Sequence, residues 1–198
     1  MTALTRRPAT GVTDAEIIRS SAQEPELFAE VFDRYYAEVH GYVVRRLGPG
    51  LAEDVAAETF LIAFDRRDRY DAAHPFARPW LYGIASNLVS RHRRAEVRQY
   101  RALARAGTDD TVDGHADRIE RRVDAESARG PLAAALAAIA PGDRDVLLLV
   151  AWAGLSGEEA ARALGIPAGT ARSRLHRARK KVRAALGDAY TTAGGEDA

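Results

Sequence analysis

Apolar residues recur along most of this chain at intervals of three and four, and no stretch alternates strictly enough to propose a strand. Leu27, Phe28, Val31, Phe32, Tyr35, Val39, Tyr42 and Val43 form one such series, the spacing that lays a single stripe of a helix against a core. Pro25 opens this helix and Gly48-Pro49-Gly50 stops it, because proline suits a first turn and breaks an interior. A second helix is expected from about Leu51 to Arg67, with Val55, Thr59, Ile62 and Ala63 on one side. A loop follows from Asp68 to His74. The third helix begins near Pro75 and runs through Trp80 to about Ala104, and a short helix over Asp14 to Ser20 precedes all three. Residues 1–13 read as a flexible tail.

Between Gly107 and Gly130 the pattern lapses: Asp109, Asp110, Asp113, Asp117, Glu120, Asp124 and Glu126 stand among few large apolar residues. Such a segment buries too little to fold by itself and reads as a linker, with Ala116 to Ala128 able to turn helical when docked. Periodicity resumes at Pro131 to Ala140, at Asp143 to Ala153 around the Val146-Leu147-Leu148-Leu149-Val150 run, and at Ser156 to Leu164. Ser156-Gly157-Glu158-Glu159 is a capping box, in which hydroxyl and carboxylate satisfy free amides at a helix start. Gly165 ends that helix and Ile166-Pro167 lead into the next, a tight helix-turn-helix junction. The expected fold is therefore all α. Two small helical domains, residues 14–106 and 131–187, are joined by a flexible acidic linker at 107–130. The second is a helix-turn-helix domain, and residues 188–198 form a C-terminal tail.

The last helix is the most informative. Ala171, Leu175, Ala178, Val182 and Leu186 share its inner stripe, while Thr170, Ser173, His176, Arg177 and Lys180 lie opposite. From Thr170 to Arg183 there are seven cations and no acid, whereas solvated surface helices interleave signs. The second helix of a helix-turn-helix enters the major groove, where side chains near its N-terminus reach base edges and flanking cations hold phosphates. Arg172, Ser173, His176 and Arg177 are the candidates for base contact, and Thr170, Arg174, Arg179 and Lys180 for the backbone.

Composition narrows the remaining possibilities. With 198 residues, 46% hydrophobic and 29% charged, the chain suits a soluble globular protein of two small domains. A net charge of +1 is silent about nucleic acid, but phosphates feel only clusters within a Debye length of about 8–10 Å. The absence of cysteine rules out disulfides, thiolate zinc sites and thiol sensing by this chain. The N-terminus lacks a signal-peptide apolar run and no stretch approaches a membrane span, so the expected location is the cytoplasm, without membrane insertion. His40, His74, His92, His115 and His176 are scattered, and no phosphate-cradling loop, metal-spaced cluster or nucleophile motif appears. Neither a catalytic residue, a metal site nor a cofactor is expected.

Two sets of residues carry a family resemblance. Gly154-Leu155-Ser156 through Glu159-Ala160-Ala161, then Leu164-Gly165-Ile166-Pro167 to Arg179, resemble region 4 of the extracytoplasmic-function (ECF) group of bacterial sigma-70 factors. Independently, Ala52-Glu53-Asp54-Val55-Ala56-Ala57-Glu58-Thr59-Phe60 resembles region 2.2, and Trp80-Leu81-Tyr82-Gly83-Ile84-Ala85-Ser86-Asn87 resembles region 2.3. The likeness covers roughly residues 25–100 and 130–186, in the family's order. It departs from the usual pattern at Ala57, Ser86, Ser90 and Ala171. The resemblance implies a promoter-specificity subunit that binds core RNA polymerase and promoter DNA, commonly held in check by an anti-sigma factor. In that setting the basic helix binds the minus 35 element, and Glu53, Asp54 and Glu58 match the acidic positions that dock on core polymerase. Residues 68–74 correspond to the segment that captures a flipped minus 10 base.

The third helix carries its own physical argument for strand opening. Leu81, Ile84, Ala85 and Leu88 form its apolar face, and Asn87, Arg91, Arg94 and Arg98 an adjacent stripe with Trp80 at its edge. Arginines, an amide and nearby aromatics suit an unpaired strand through phosphate pairing, edge hydrogen bonds and stacking. A rival reading is a stand-alone helix-turn-helix regulator that binds an operator as a dimer without touching polymerase. Asn87→Ala is expected to impair promoter opening while leaving core binding intact; an unchanged permanganate footprint on the minus 10 thymines rejects that role for Asn87.

Overall fold

A computed structural model describes residues 11–106 and 128–193, with side chains to Gly187, and among these every regular element is helical. Helix α1 spans Asp14–Ser20, α2 Ala29–Leu47, α3 Pro49–Asp65, α4 Arg78–Arg91 and α5 Arg93–Ala106. Helices α6 (Arg129–Ala138), α7 (Pro141–Ala151), α8 (Gly157–Ala163) and α9 (Ala168–Ala193) follow. Short 3-10 turns occupy Pro25–Phe28 and Arg67–Arg69.

Several boundaries differ from those the sequence pattern suggests. The expected helix from Pro25 begins as a 3-10 turn, and Gly48 at φ +82° turns the chain so sharply that Pro49 already opens α3. The long third helix is two helices. α4 ends at Arg91, and His92, at φ −99° and ψ 24°, separates it from α5. No proline or glycine marks that break, so periodicity runs straight through it. α6 starts at Arg129, inside the stretch expected to be linker, and α9 continues to Ala193, past the expected start of the tail, because no proline intervenes. Residues 107–127, including nearly all of the Ala116 to Ala128 helix expectation, lie outside the described residues, as do 1–10 and 194–198.

In the first domain α2 packs on α3, α3 on α4, and α4 and α5 return to α2. Val31, Val39, Tyr42, Val43, Val55, Phe60, Leu81, Leu88 and Val89 are buried between them. Asp14, itself buried, ties the domain's front together: it pairs with Arg34 at 2.7 Å and accepts hydrogen bonds from the Tyr35 hydroxyl at 2.6 Å and the Ala77 amide at 2.8 Å. The last of these satisfies a free donor just ahead of α4. In the second domain α9 lies across α6, α7 and α8. Ala161 and Ala171 meet with Val146 in a small core flanked by Leu164, Ile166 and Leu175. Small residues at these positions let the two helices of the helix-turn-helix cross closely.

The domains are docked rather than separate. α5 packs on α6 and α4 on both α7 and α8, and the buried apolar residues merge into one cluster reaching from Ile17 and Tyr42 to Leu148 and Leu149. At the seam Arg46, Glu96 and Arg144 are each 1% exposed. Glu96 binds Arg46 at 2.6 Å within the first domain and Arg144 at 2.7 Å across the seam, and Arg46 also reaches Asp145 of α7. Arg144 further donates to the Leu136 and Ile139 carbonyls at 2.9 and 3.3 Å, closing the C-terminal end of α6. Its Nε is the buried side-chain donor left without a partner among the described residues. Arg46 donates to the Tyr42 hydroxyl at 2.7 Å, and that hydroxyl meets Ser86 Oγ at 3.0 Å. Burial raises the Tyr42 pKa, keeping the phenol protonated. For Arg46 burial opposes the charge, but Tyr42, Glu96 and Asp145 more than restore it. Ser86, one of the departures from the family pattern, therefore serves the core.

The capping box at α8 is formed in full: Ser156 N donates to Glu159 Oε2 at 2.8 Å, and Glu159 N donates to Ser156 Oγ at 3.2 Å. Ser156→Ala is expected to destabilise the protein by about 0.5–2 kcal/mol, read as a lower denaturant midpoint with an unchanged slope; an unaltered midpoint denies the cap that role.

Candidate nucleic-acid interface

The turn that aims the basic helix is built by backbone hydrogen bonds. Gly165 N donates to Arg162 O and Ile166 N to Ala161 O, both at 3.0 Å, while Gly165 sits at φ +61°. This is a Schellman closure, which needs a left-handed residue at the position Gly165 fills. Ile166 then joins the small core, fixing the angle at which α9 departs.

On α9, Arg172, Ser173, His176, Arg177, Arg179 and Lys180 are exposed, and Thr170 and Arg174 are half-buried. The eight sequence candidates thus occupy one helix, but two of them are tethered. Arg177 grips Asp143 of α7 with a forked pair of bonds at 3.0 and 2.8 Å. Arg174 lies so close to Gly142 that a Cβ there would come within 2.8 Å of its guanidinium. The Arg177 hydrogen bond lowers the Asp143 pKa, opposed by burial and helped by the charges of Arg177, Arg174 and Lys181. Ser173 donates to the Thr170 carbonyl at 2.9 Å, leaving its lone pairs outward.

The candidates of the first domain are distributed differently. Trp80, Asn87 and Arg91 lie on α4, whereas Arg94 and Arg98 lie on α5 beyond the break at His92, so they do not form a single-helix stripe. Trp80 is half-buried against Tyr70, ring centroids 5.0 Å apart, and Asn87 is exposed. Arg91 pairs with Glu58 at 3.3 Å, both largely in solvent. Trp80 and Asn87 line a cleft of about 460 Å³ together with Arg66, Arg69, Tyr70 and Phe76, and Arg162 of α8. Arg69 and Tyr70 fall in the 68–74 segment that the resemblance pointed to, without being singled out there, and Arg66 was missed. Their signal was the basic run ending in an aromatic, Arg66-Arg67-Asp68-Arg69-Tyr70, hidden because the run straddles a helix end. Arg67 is turned inward, donating to the Phe64 and Ser21 carbonyls.

Glu53, Asp54 and Glu58 are exposed on α3. Asp54, Glu58 and Leu61 follow one another at helical spacing, and Leu61 is 68% exposed. Periodicity could not flag this exposed leucine because it falls within an apolar Phe60-Leu61-Ile62 run. Among the described residues no group of His, Asp and Glu is arranged to hold a metal ion, and no helix is long and apolar enough to cross a membrane.

The two-part arrangement recurs in known proteins. Residues 31–99 match Sigma-70 region 2, and residues 129–182 match Sigma-70, region 4. The RNA polymerase sigma factor CarQ of Myxococcus xanthus is 33% identical over 182 residues, spanning 87% of this chain and 95% of that one. This chain belongs to the sigma-70 family. Within it the relatives point to the ECF group: the ECF RNA polymerase sigma factor SigL of Mycobacterium tuberculosis is 32% identical over 174 residues, covering 87% of this chain and 96% of its own. The fold is also that of CnrH in its complex with the cytosolic domain of CnrY, at a TM-score of 0.61, 23% identity and coverage of 88% of this chain and 97% of that chain. The protein is thus an RNA polymerase sigma factor that directs promoter-specific initiation.

The Asp143–Arg177 pair gives this sigma factor a defined acid response. Because the Asp143 pKa is lowered in the folded state, the pair's contribution is complete above the unfolded carboxylate pKa near 3.9 and is lost as pH falls through the depressed value. Asp143→Asn is expected to lower stability at neutral pH and to flatten its decline in acid; parallel pH curves for the two proteins would reject this.

Proposed function

We propose that this sigma factor grips its promoter at two places, with α9 in the major groove of the minus 35 element and the α3–α4 side of the first domain on core polymerase and the minus 10 element. The observation that carries the first grip is the outward row Arg172, Ser173, His176, Arg177, Arg179 and Lys180 on a helix set by a Schellman turn. Arg172, Ser173, His176 and Arg177 read base edges, while Thr170, Arg174, Arg179 and Lys180 hold phosphates. Asp143 keeps the Arg177 guanidinium extended before DNA arrives.

The cleft beside Trp80 and Asn87 receives an unpaired base. Arg66 and Arg69 neutralise its phosphates, and Arg91, Arg94 and Arg98 follow the strand along α4 and α5. Glu53, Asp54 and Glu58, with Leu61, dock on core polymerase. An anti-sigma factor is a further expected partner, since the sigma factor RpoE of Bartonella quintana, of similar fold, is seen in complex with the anti-sigma factor NepR. Polymerase performs the chemistry, this chain selects where it starts, and the pair works in the cytoplasm.

Transcription in vitro with core polymerase, with start sites mapped, tests the reading as a whole; failure to co-purify with core, alongside binding to a palindromic operator, favours a stand-alone regulator. Arg177→Ala is expected to weaken binding to the minus 35 duplex by about 1–3 kcal/mol and to relax base preference. A uniform loss across sequences reassigns Arg177 to the phosphates.

A further inference from the structure

We infer that helix α1 braces the cleft beside Trp80 and Asn87, and that Asp14 is the positioning residue through which it sets that cleft's preference among bases. The inference rests on the reading of the cleft as the receiver of an unpaired base. The segment that forms the cleft's rim has no buried anchor of its own. From Asp68 to Phe76 no residue is buried, and Phe76 stands 42% exposed. Within the segment the Tyr70 hydroxyl donates to the His74 carbonyl at 2.6 Å and His74 N to the Asp71 carbonyl at 3.0 Å. These bonds close the loop on itself, and the Tyr70 ring leans on Trp80, another lining residue. A stretch with so few buried contacts opens locally at little cost, so whatever ties down its ends governs the shape of the cleft.

Helix α1 ties both ends. At the start, Arg67 Nε donates to the carbonyl of Ser21, the C-cap of α1, at 3.2 Å. At the far end Ala15 N donates to the Pro75 carbonyl at 3.4 Å, and Ala77 N donates to Asp14 Oδ2 at 2.8 Å. The peptide groups on either side of Phe76 are thus held by two consecutive residues of α1, which fixes where that ring stands at the rim. Ala77 is also the N-cap of α4, the helix that carries Trp80 and Asn87. A carboxylate there suits the positive end of the α4 dipole, so one side chain sets the rim and the start of the helix behind it. The brace is itself firmly seated. Ile17 and Ile18 of α1 are buried in the core, and Asp14 is 1% exposed. Arg34 and the Tyr35 hydroxyl hold the Asp14 carboxylate, and burial together with that bond raises the Tyr35 pKa, so the phenol stays a donor. Displacing the rim by on the order of 1 Å would spoil stacking and edge contacts to a base without touching any residue that makes them.

A graded pair of variants in the full-length protein tests the brace. Asp14→Asn keeps an oxygen for the Ala77 amide without its charge, and a charge-assisted bond is roughly twice as strong as a neutral one. Asp14→Ala removes the acceptor. The first measurement is amide hydrogen exchange at Ala77 in the free chain, followed by nuclear magnetic resonance. The second is binding of the core polymerase complex to single-stranded minus 10 oligonucleotides with bases substituted one at a time, read as the affinity ratio between preferred and substituted base. Exchange at Ala77 is expected to quicken by about tenfold or more in Asp14→Ala and by less in Asp14→Asn. Base discrimination falls in the same order, while affinity for core polymerase and for the minus 35 duplex is unchanged. If circular dichroism shows that Asp14→Ala does not fold, the intermediate result for Asp14→Asn decides. Unaltered exchange at Ala77, or full discrimination in a folded variant whose Ala77 exchanges fast, overturns the inference. So does an equal loss of minus 35 binding, which marks a merely structural role. Absence of any base preference in the unaltered protein would instead defeat the reading of the cleft, while exchange at Ala77 still decides whether α1 braces the segment.

Discussion

Arg46, Glu96 and Arg144 lose nearly all contact with water, and the rest of the molecule is arranged around satisfying them. A buried charge with its partner removed is strongly destabilising, about 3–5 kcal/mol, whereas an intact pair adds little over a well-packed apolar equivalent. The cluster therefore contributes specificity more than strength. Glu96 has one carboxylate oxygen for each arginine, Arg144 spends a second nitrogen on the end of α6, and Arg46 spends one on Tyr42. The observed register of α5 against α2, α6 and α7 meets all of these demands together.

That register decides what remains on the outside. With the seam occupied by α5, α6 and the inner faces of α4 and α8, the basic face of α9 and the acidic face of α3 are left in solvent. The two surfaces are of opposite sign. Each is carried on a rigid helix rather than on a loop, which keeps side-chain positions defined before binding. Alanine and glycine at Ala161, Ala171 and Gly83 perform the complementary task of letting helices approach closely where orientation matters.

The helix-turn-helix was legible because its signals are local. Ser156 and Glu159 cap α8, Gly165 supplies a left-handed residue, and seven cations fall between Thr170 and Arg183 without an acid among them. The division between α4 and α5 was not, since His92 breaks the helix without any residue type that announces a break. Glu96 shows the same limit more sharply. In the sequence it is a lone acid among arginines on what reads as a basic surface, yet it is buried and clamped between Arg46, 50 positions before it, and Arg144, 48 positions after it. No short-range pattern relates residues that far apart.

Spacing, capping and charge act within a few residues, so the sequence alone was enough to show that the chain is helical, that it has regions of the sigma-70 type, and that one helix near its end carries a basic face. Tertiary structure alone decided that the two domains share a core, that Arg177 rests on Asp143, and that Arg66, Arg69 and Tyr70 gather with Trp80 and Asn87 in one cleft. Those outcomes depend on desolvation and close packing between distant segments, which take effect only when the chain has brought them together.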